Sequence, residues 1–288
     1  MTWRFAAASR AGTSHVRDDL PCQDAWGGAV VTTGHGPALV AVVSDGAGSA
    51  THGGDGSTFI CQSLVAALRD VPADVDAGQS WLREAVVTTR QALLEQAAAR
   101  GLTGRDLAAT MLCAVLTPIW SAFAQVGDGA IVTPDGTGEW AWLFWPQRGE
   151  YANSTSFLTD PTALDSLEVD AVPGGQLEVA LFTDGLQHLL LDYEQQQVHS
   201  PFFEKMLGPV RASPATGQDE PLSAGLLDYL GSGPVTGRAD DDLTLLLATR
   251  RAAVTRPTAA ATPPSDTTPA AARSTGPVPA GPVATEPA

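Results

Sequence analysis

Cysteine is scarce in this chain: Cys22, Cys61 and Cys113 are odd in number and form no C-x-x-C. That excludes a disulfide framework and a thiolate zinc site, and makes a reducing cytoplasm the expected compartment. Basic charge is equally thin, with 16 Lys+Arg against 32 Asp+Glu and a formal charge of -16. Such a surplus of acid repels phosphate backbones and anionic lipid, so neither nucleic acid nor a membrane surface is expected as partner. Long hydrophobic runs are also missing. Nothing approaches the roughly 18 uninterrupted apolar residues of a membrane span. The Met1-Thr-Trp-Arg-Phe start reaches only Ala6-Ala7-Ala8 before Ser9-Arg10, too short for a secretory signal.

What is present is a chain of 288 residues, 44% hydrophobic and 17% charged, enough to bury a sizeable core. From Arg251 onward Ala, Pro, Thr and Gly take over and no aromatic residue remains. That composition cannot bury enough surface to order itself. A folded domain over residues 1-250 and a disordered Ala/Pro/Thr-rich tail over 251-288 are therefore expected, acting as a monomer.

Within the domain, short apolar runs predict strands at Trp3-Ala8, Ala25-Thr32, Ala38-Ser44, Ala108-Leu116, Ser121-Val126, Ala130-Thr133, Trp140-Phe144, Leu177-Phe182 and Leu243-Thr249. Helical spacing marks Asp55-Asp70 and Ser80-Arg100, and more weakly Pro201-Leu207 and Pro221-Leu230. Several strands follow one another directly and the two main helices adjoin. This order favours an α+β fold of antiparallel sheets with helices outside over repeating βαβ units.

Acidic residues recur at the ends of the apolar runs. Leu39-Val-Ala-Val-Val43 leads into Ser44-Asp45-Gly46, and Leu177-Glu-Val-Ala-Leu-Phe182 leads into Thr183-Asp184-Gly185. An isolated Asp-Gly is first of all a hairpin-turn signal, and Asp135-Gly136 is left as one. The other two lead toward helical patterns instead of a second strand. Asp24 precedes a strand, and Arg238-Ala-Asp-Asp-Asp-Leu-Thr244 sets three acids before the last one. Each alone reads as a solvated strand start. Converging on one rim of the fold, they would suit hard cations such as Mg2+ or Mn2+, which take oxygen ligands.

In that order, Gln23-Asp24, Ser44-Asp45-Gly46, Val126-Gly127-Asp128, Phe182-Thr183-Asp184-Gly185 and Asp241-Asp242-Leu243-Thr244 resemble the motifs of the metal-dependent serine/threonine protein phosphatases of the 2C type, bacterial branch, with minor support from Ala108-Ala109-Thr110. The resemblance implies a four-layer αββα sandwich, two antiparallel sheets flanked by helix pairs, with a binuclear Mn2+ or Mg2+ centre at one edge. It implies Asp45 as the carboxylate bridging both ions, the Gly46 carbonyl as a ligand of the second, and Asp184 and Asp241 as ligands of the first. Asp24 resembles the acid that orients the attacking water. Asp128, with Asp184, resembles a third metal site, although Gly127-Asp128-Gly129 reads equally as a plain turn. Asp240 and Asp242 are expected to be solvated or to stand behind the ligands.

Three positions depart from the family. Gln23 stands where many members have Glu, Asp19 where animal members place a phosphate-binding Arg, and Ala47 where many eukaryotic members have His. Arg17 is the expected substitute for the phosphate-binding residue, ahead of Arg10 and His15, and His52 is expected on the surface. The implied activity is hydrolysis of phosphoserine and phosphothreonine by direct attack of activated water, with phosphorylated proteins, a partner serine/threonine kinase among them, as substrates. A phosphatase-like binding or regulatory module with little hydrolytic activity is the alternative that the three departures favour. A haloacid-dehalogenase-type enzyme wants Asp-x-Asp at a strand end, which neither Asp45 nor Asp184 supplies.

Overall fold

The structure is a computed structural model and describes residues 1–146 and 155–252. Along the chain come β1 (Thr2–Arg10), α1 (Thr13–Arg17), β2 (Ala25–Thr33), β3 (Gly36–Ser44), α2 (Gly53–Ala67), α3 (Val75–Ala99), β4 (Met111–Leu116), β5 (Trp120–Val126), β6 (Ala130–Pro134), β7 (Trp140–Trp142) and β8 (Glu168–Pro173). There follow β9 (Glu178–Phe182), α4 (Gln187–Leu190), β10 (Leu191–Asp192), β11 (Gln197–Val198), α5 (Ser200–Ala212), β12 (Gly217–Gln218), α6 (Glu220–Leu230), α7 (Gly233–Thr236) and β13 (Leu243–Arg251).

Period-two alternation sorts the apolar runs into layers. Along β3, Leu39, Ala41 and Val43 join the core between the sheets, while Val40 and Val42 join the one beneath α2 and α3. Along β13, Leu246 and Ala248 face the other sheet, and Leu245 and Leu247 meet the residues of α5 and α6. Both faces of these strands are buried, so they read in sequence as continuous hydrophobic runs. The sheets run β12-β1-β13-β9-β6-β7 and β2-β3-β4-β5-β8, with β10 and β11 forming a small separate pair. Pairing is antiparallel except at the β1–β12 edge, which is parallel. The expected four layers are present.

Differences lie at boundaries and edges. β8 is an edge strand with one buried residue, Val169, and its weak alternation gave no sequence signal. α3 begins five residues before the expected Ser80, because Asp74 caps it by accepting from the Ala77 N–H at 3.1 Å. The expected β4 begins only at Met111; Ala108–Thr110 before it meet the segment after β3 through an isolated bridge between Ala109 and Gly46. Among the described residues no helix is long and apolar enough to cross a membrane. Contacts divide the chain at Val254, and the expected tail lies outside the described residues from 253 onward.

One buried charge holds the end of the six-stranded sheet. Glu178, on β9, accepts from the forked Arg211 at 2.7 and 2.6 Å, from Arg251 at 2.7 Å and from the Thr249 hydroxyl at 2.9 Å. Burial alone would raise its pKa, but the Arg211 bonds, then Thr249, outweigh it and hold the carboxyl below its ordinary value of 4.5. A depressed folded pKa means stability that is complete above the unfolded value and is lost as pH falls through the folded one. Glu178→Gln should cost about 2 kcal/mol at neutral pH. The cost should shrink below about pH 4.3. Melting temperatures of both forms across pH 3 to 7 check this; a pH-independent difference would show that charge is not what the site contributes.

Candidate metal centre

Asp45 follows β3 on the rim of the sandwich. Its backbone is clamped by Thr110: the Asp45 N–H donates to the Thr110 hydroxyl at 3.0 Å, and the Thr110 N–H donates back to the Asp45 carbonyl at 2.8 Å. The Ser44 hydroxyl adds a bond to the Thr110 carbonyl at 2.6 Å. The small residues of Ala108-Ala109-Thr110 thus carry the strand pairing up to the acid. Asp184 follows β9 on a short 3-10 turn, Asp184–Leu186. Asp128 lies between β5 and β6, which belong to different sheets, so its Gly-Asp-Gly is a crossing between layers and not a hairpin. One oxygen of each of Asp45, Asp128 and Asp184 lies within 4.8 Å of the others.

The rest of the rim is built around hydroxyls and backbone donors. Thr183 donates to Asp24 at 2.8 Å and accepts from the Thr244 N–H at 3.0 Å, tying the two strand ends together behind the cluster. Asp241 is exposed at the cluster's edge and accepts from the Asp242 N–H at 2.8 Å. Asp242 is not solvated. It is 2% exposed and accepts from Gly12 N–H at 2.8 Å, His15 Nδ1 at 2.8 Å and Gln23 N–H at 2.5 Å, fixing the loop that presents Asp24. Asp240 is exposed, and its carbonyl accepts from Ser14.

Burial and mutual repulsion raise the pKa values of Asp45, Asp184, Asp24 and Asp128. Asp45 is pushed well above the usual range, first by burial and then by Asp24, Asp184, Asp241 and Asp128. Asp184 rises to about 7, from burial and then from Asp128 and Asp241. Asp24 also rises to about 7, from burial, against the pull of its Thr183 bond. Asp128 is raised by burial, against the bond it accepts from Thr155. One oxygen each of Asp24 and Asp128 is buried and meets no donor among the described residues. Acceptors without donors, crowded by like charge, fit a divalent cation and its waters.

The departures have structural causes. With its amide turned to suit its neighbours, Gln23 donates to the Gly46 and Ala47 carbonyls at 3.1 and 3.2 Å, so it braces the expected carbonyl ligand. Asp19 sits at φ 54° just after α1, a left-handed position that Asp tolerates well. Ala47 is buried against Ala50 and Ala108. Arg17 is 71% exposed and spends its fork on Asp18 at 3.0 and 3.2 Å, so the structure does not bring it to the cluster. His52 lies beside the Arg100–Asp55 ion pair, away from the carboxylate cluster's own hydrogen bonds. Thr155 gave no signal in the sequence, and His15, weighed there as a phosphate-binding residue, bonds Asp242 instead; a hydroxyl or imidazole acquires its role only from the carboxylate that folding brings to it.

The protein phosphatase 2C family model matches residues 11–230, ending before Asp241. Serine/threonine-protein phosphatase 3 of Escherichia coli (strain K12) is 38% identical over 255 residues, covering 86% of this chain and 98% of that protein. Among solved structures, the serine/threonine phosphatase of S. agalactiae matches with a TM-score of 0.62 at 14% identity, over 86% of this chain and 100% of that one. The catalytic domain of the phosphatase PstP, in complex with 2 manganese ions, matches at 0.58 and 18% identity, over 86% and 98%. With its sandwich, its ordered carboxylates and these likenesses together, the chain belongs to the protein phosphatase 2C family.

Proposed function

We propose that the chain hydrolyses phosphoserine and phosphothreonine in other proteins, a partner kinase among them, at a centre that binds two Mn2+ or Mg2+ ions, with room at Asp128 for a third. The observation that carries this reading is the convergence of Asp45, Asp128 and Asp184, three acids far apart in sequence, within 4.8 Å. Asp45 would bridge two ions, Asp184 and Asp241 would complete the first, and the Gly46 carbonyl would serve the second. When bound, the ions supply a water of lowered pKa as nucleophile and offset charge on the transferring phosphoryl group.

The chain's own part is positioning. Thr110 fixes Asp45 at its backbone, and Thr183 fixes Asp24 by its Oδ2. Asp24 is 8% exposed, so its free oxygen stands in a site that excludes bulk water and can orient a single attacking molecule. No nucleophilic side chain is required. Cys61 and Cys113 are buried, and burial pushes both thiols up, which leaves them inert.

The binding-module alternative keeps the fold without turnover. Against it stands the electrostatic cost of the cluster, which a chain released from catalysis has no reason to retain. Hydrolysis of p-nitrophenyl phosphate and of a phosphothreonine peptide is expected with Mn2+, absent with chelator and restored by added metal. Metal binding without hydrolysis of either substrate would establish the module instead.

A further inference from the structure

Next to the carboxylate cluster lies a cavity of about 200 Å3 whose walls include Asp184, Asp240, Asp241, Gln187, His188 and Arg238. We propose that this cavity holds the phosphoryl group of the substrate and that Arg238 and Gln187 bind its oxygens. The proposal rests on the phosphatase reading above and supplies the anion-binding group that Asp19 cannot.

Gln187 is the first indication. It is 7% exposed, its Oε1 accepts from the Tyr193 hydroxyl, and its Nε2 is buried with no acceptor among the described residues. A buried amide donor is almost always paired, and Gln187 lines this polar cavity, so its unmet donor suits an acceptor that arrives from outside. Arg238 is the second. It follows α7 on a turn closed by its own N–H to the Val235 carbonyl at 3.0 Å, and Val235 is buried, so the backbone that carries it is anchored. Its guanidinium has no carboxylate partner among the described residues, although the chain has 32 acids to 16 bases and Asp240 and Asp241 follow directly. Arg17, in contrast, is already paired with Asp18.

Of the three acids in the wall, Asp184 and Asp241 are those proposed to hold cations. Once they do so, the remaining polar lining is Arg238, the Gln187 amide, the exposed His188 and the exposed carboxylate of Asp240. A guanidinium and an amide donor lining one small space suit an oxyanion, and a fork suits phosphate better than a point charge does. The other source of anionic oxygen is a carboxylate flanking the phosphorylated residue, and the test separates the two.

The full chain loaded with Mn2+ is titrated with inorganic phosphate by calorimetry. It is then assayed on p-nitrophenyl phosphate and on two phosphopeptides, one with neutral and one with acidic flanks. Arg238→Ala should weaken phosphate affinity and raise KM roughly tenfold on all three substrates, with a smaller change in kcat, as expected for binding shared by ground and transition states. Mn2+ affinity should not change. Arg238→Lys should recover part of the loss, and Gln187→Glu should weaken phosphate binding in the same direction. Arg238 is exposed, so its variants fold even if Gln187→Glu does not. Unchanged phosphate affinity in Arg238→Ala, or a loss confined to the acidic-flanked peptide or to Arg17→Ala, would overturn the proposal. If the wild-type chain hydrolysed nothing, the phosphatase reading would fall, and the phosphate titration would still decide the role of Arg238.

Discussion

Asp45→Ala is expected to remove Mn2+ binding and turnover together while leaving the fold intact. Asp45 is the acid against which Asp24, Asp184, Asp241 and Asp128 all press, and it shares a 4.8 Å cluster with two of them. A carboxylate in that place has no substitute, because the other four acids all act on this one group. Metal chemistry is worth several kcal/mol of transition-state stabilisation, so kcat should fall on the order of a thousandfold or more. Stability should move the other way. In chelator at neutral pH the wild-type chain carries a crowded carboxyl that resists ionisation, so the isosteric Asp45→Asn should melt no lower than wild type. Calorimetry with Mn2+, turnover, and melting with and without chelator read these effects. Wild-type turnover in Asp45→Ala would remove the bridge from the mechanism, and a metal-free Asp45→Asn that melts well below wild type would show the acid to be structural.

How much of this was legible follows from which signals are local. The buried strands announced themselves because both faces are covered, as β3 and β13 show, whereas β8, with only Val169 buried, offered the sequence almost nothing. Asp45 and Asp184 stood out because each ends an apolar run. Asp128 could not be resolved from a turn by sequence, since only the topology reveals that β5 and β6 lie in different sheets. Asp242 was expected either solvated or behind the ligands, and the sequence could not choose between the two. Its burial comes from Gly12, His15 and Gln23, more than two hundred residues away along the chain. Arg238 and Gln187 carried no motif at all; their interest arises from partners they lack, which no pattern of residues can display.

The Asp-Gly pairs show most clearly how a local signal can be right for the wrong reason. As hairpin signals, their glycines should have positive φ. Gly136 does, at φ 87°, in the turn joining β6 to β7, and a Cβ there would meet nothing within 4 Å. Neither Gly46 nor Gly185 has positive φ among the described residues. What they require is space. A Cβ on Gly46 would lie 2.4 Å from the Gly53 backbone, and one on Gly185 would lie 2.1 Å from the Asp242 carbonyl oxygen. Backbone cannot swing aside as a side chain can. Gly185→Ala should therefore force the turn carrying Asp184 away from the segment carrying Asp241 and Asp242, the two supports of one proposed ion. Overpacking of this kind costs about 1–3 kcal/mol. Displacing a reacting geometry by an ångström can cost roughly a hundredfold in rate. The expected result is a lowered melting temperature, weaker Mn2+ binding, and a kcat that excess Mn2+ only partly restores. Gly136→Ala is the control: strain at its left-handed position should cost about 1 kcal/mol and leave Mn2+ affinity and turnover alone. If Gly185→Ala kept wild-type metal affinity and kcat, the close approach at Asp242 would not be what aligns Asp184 with Asp241.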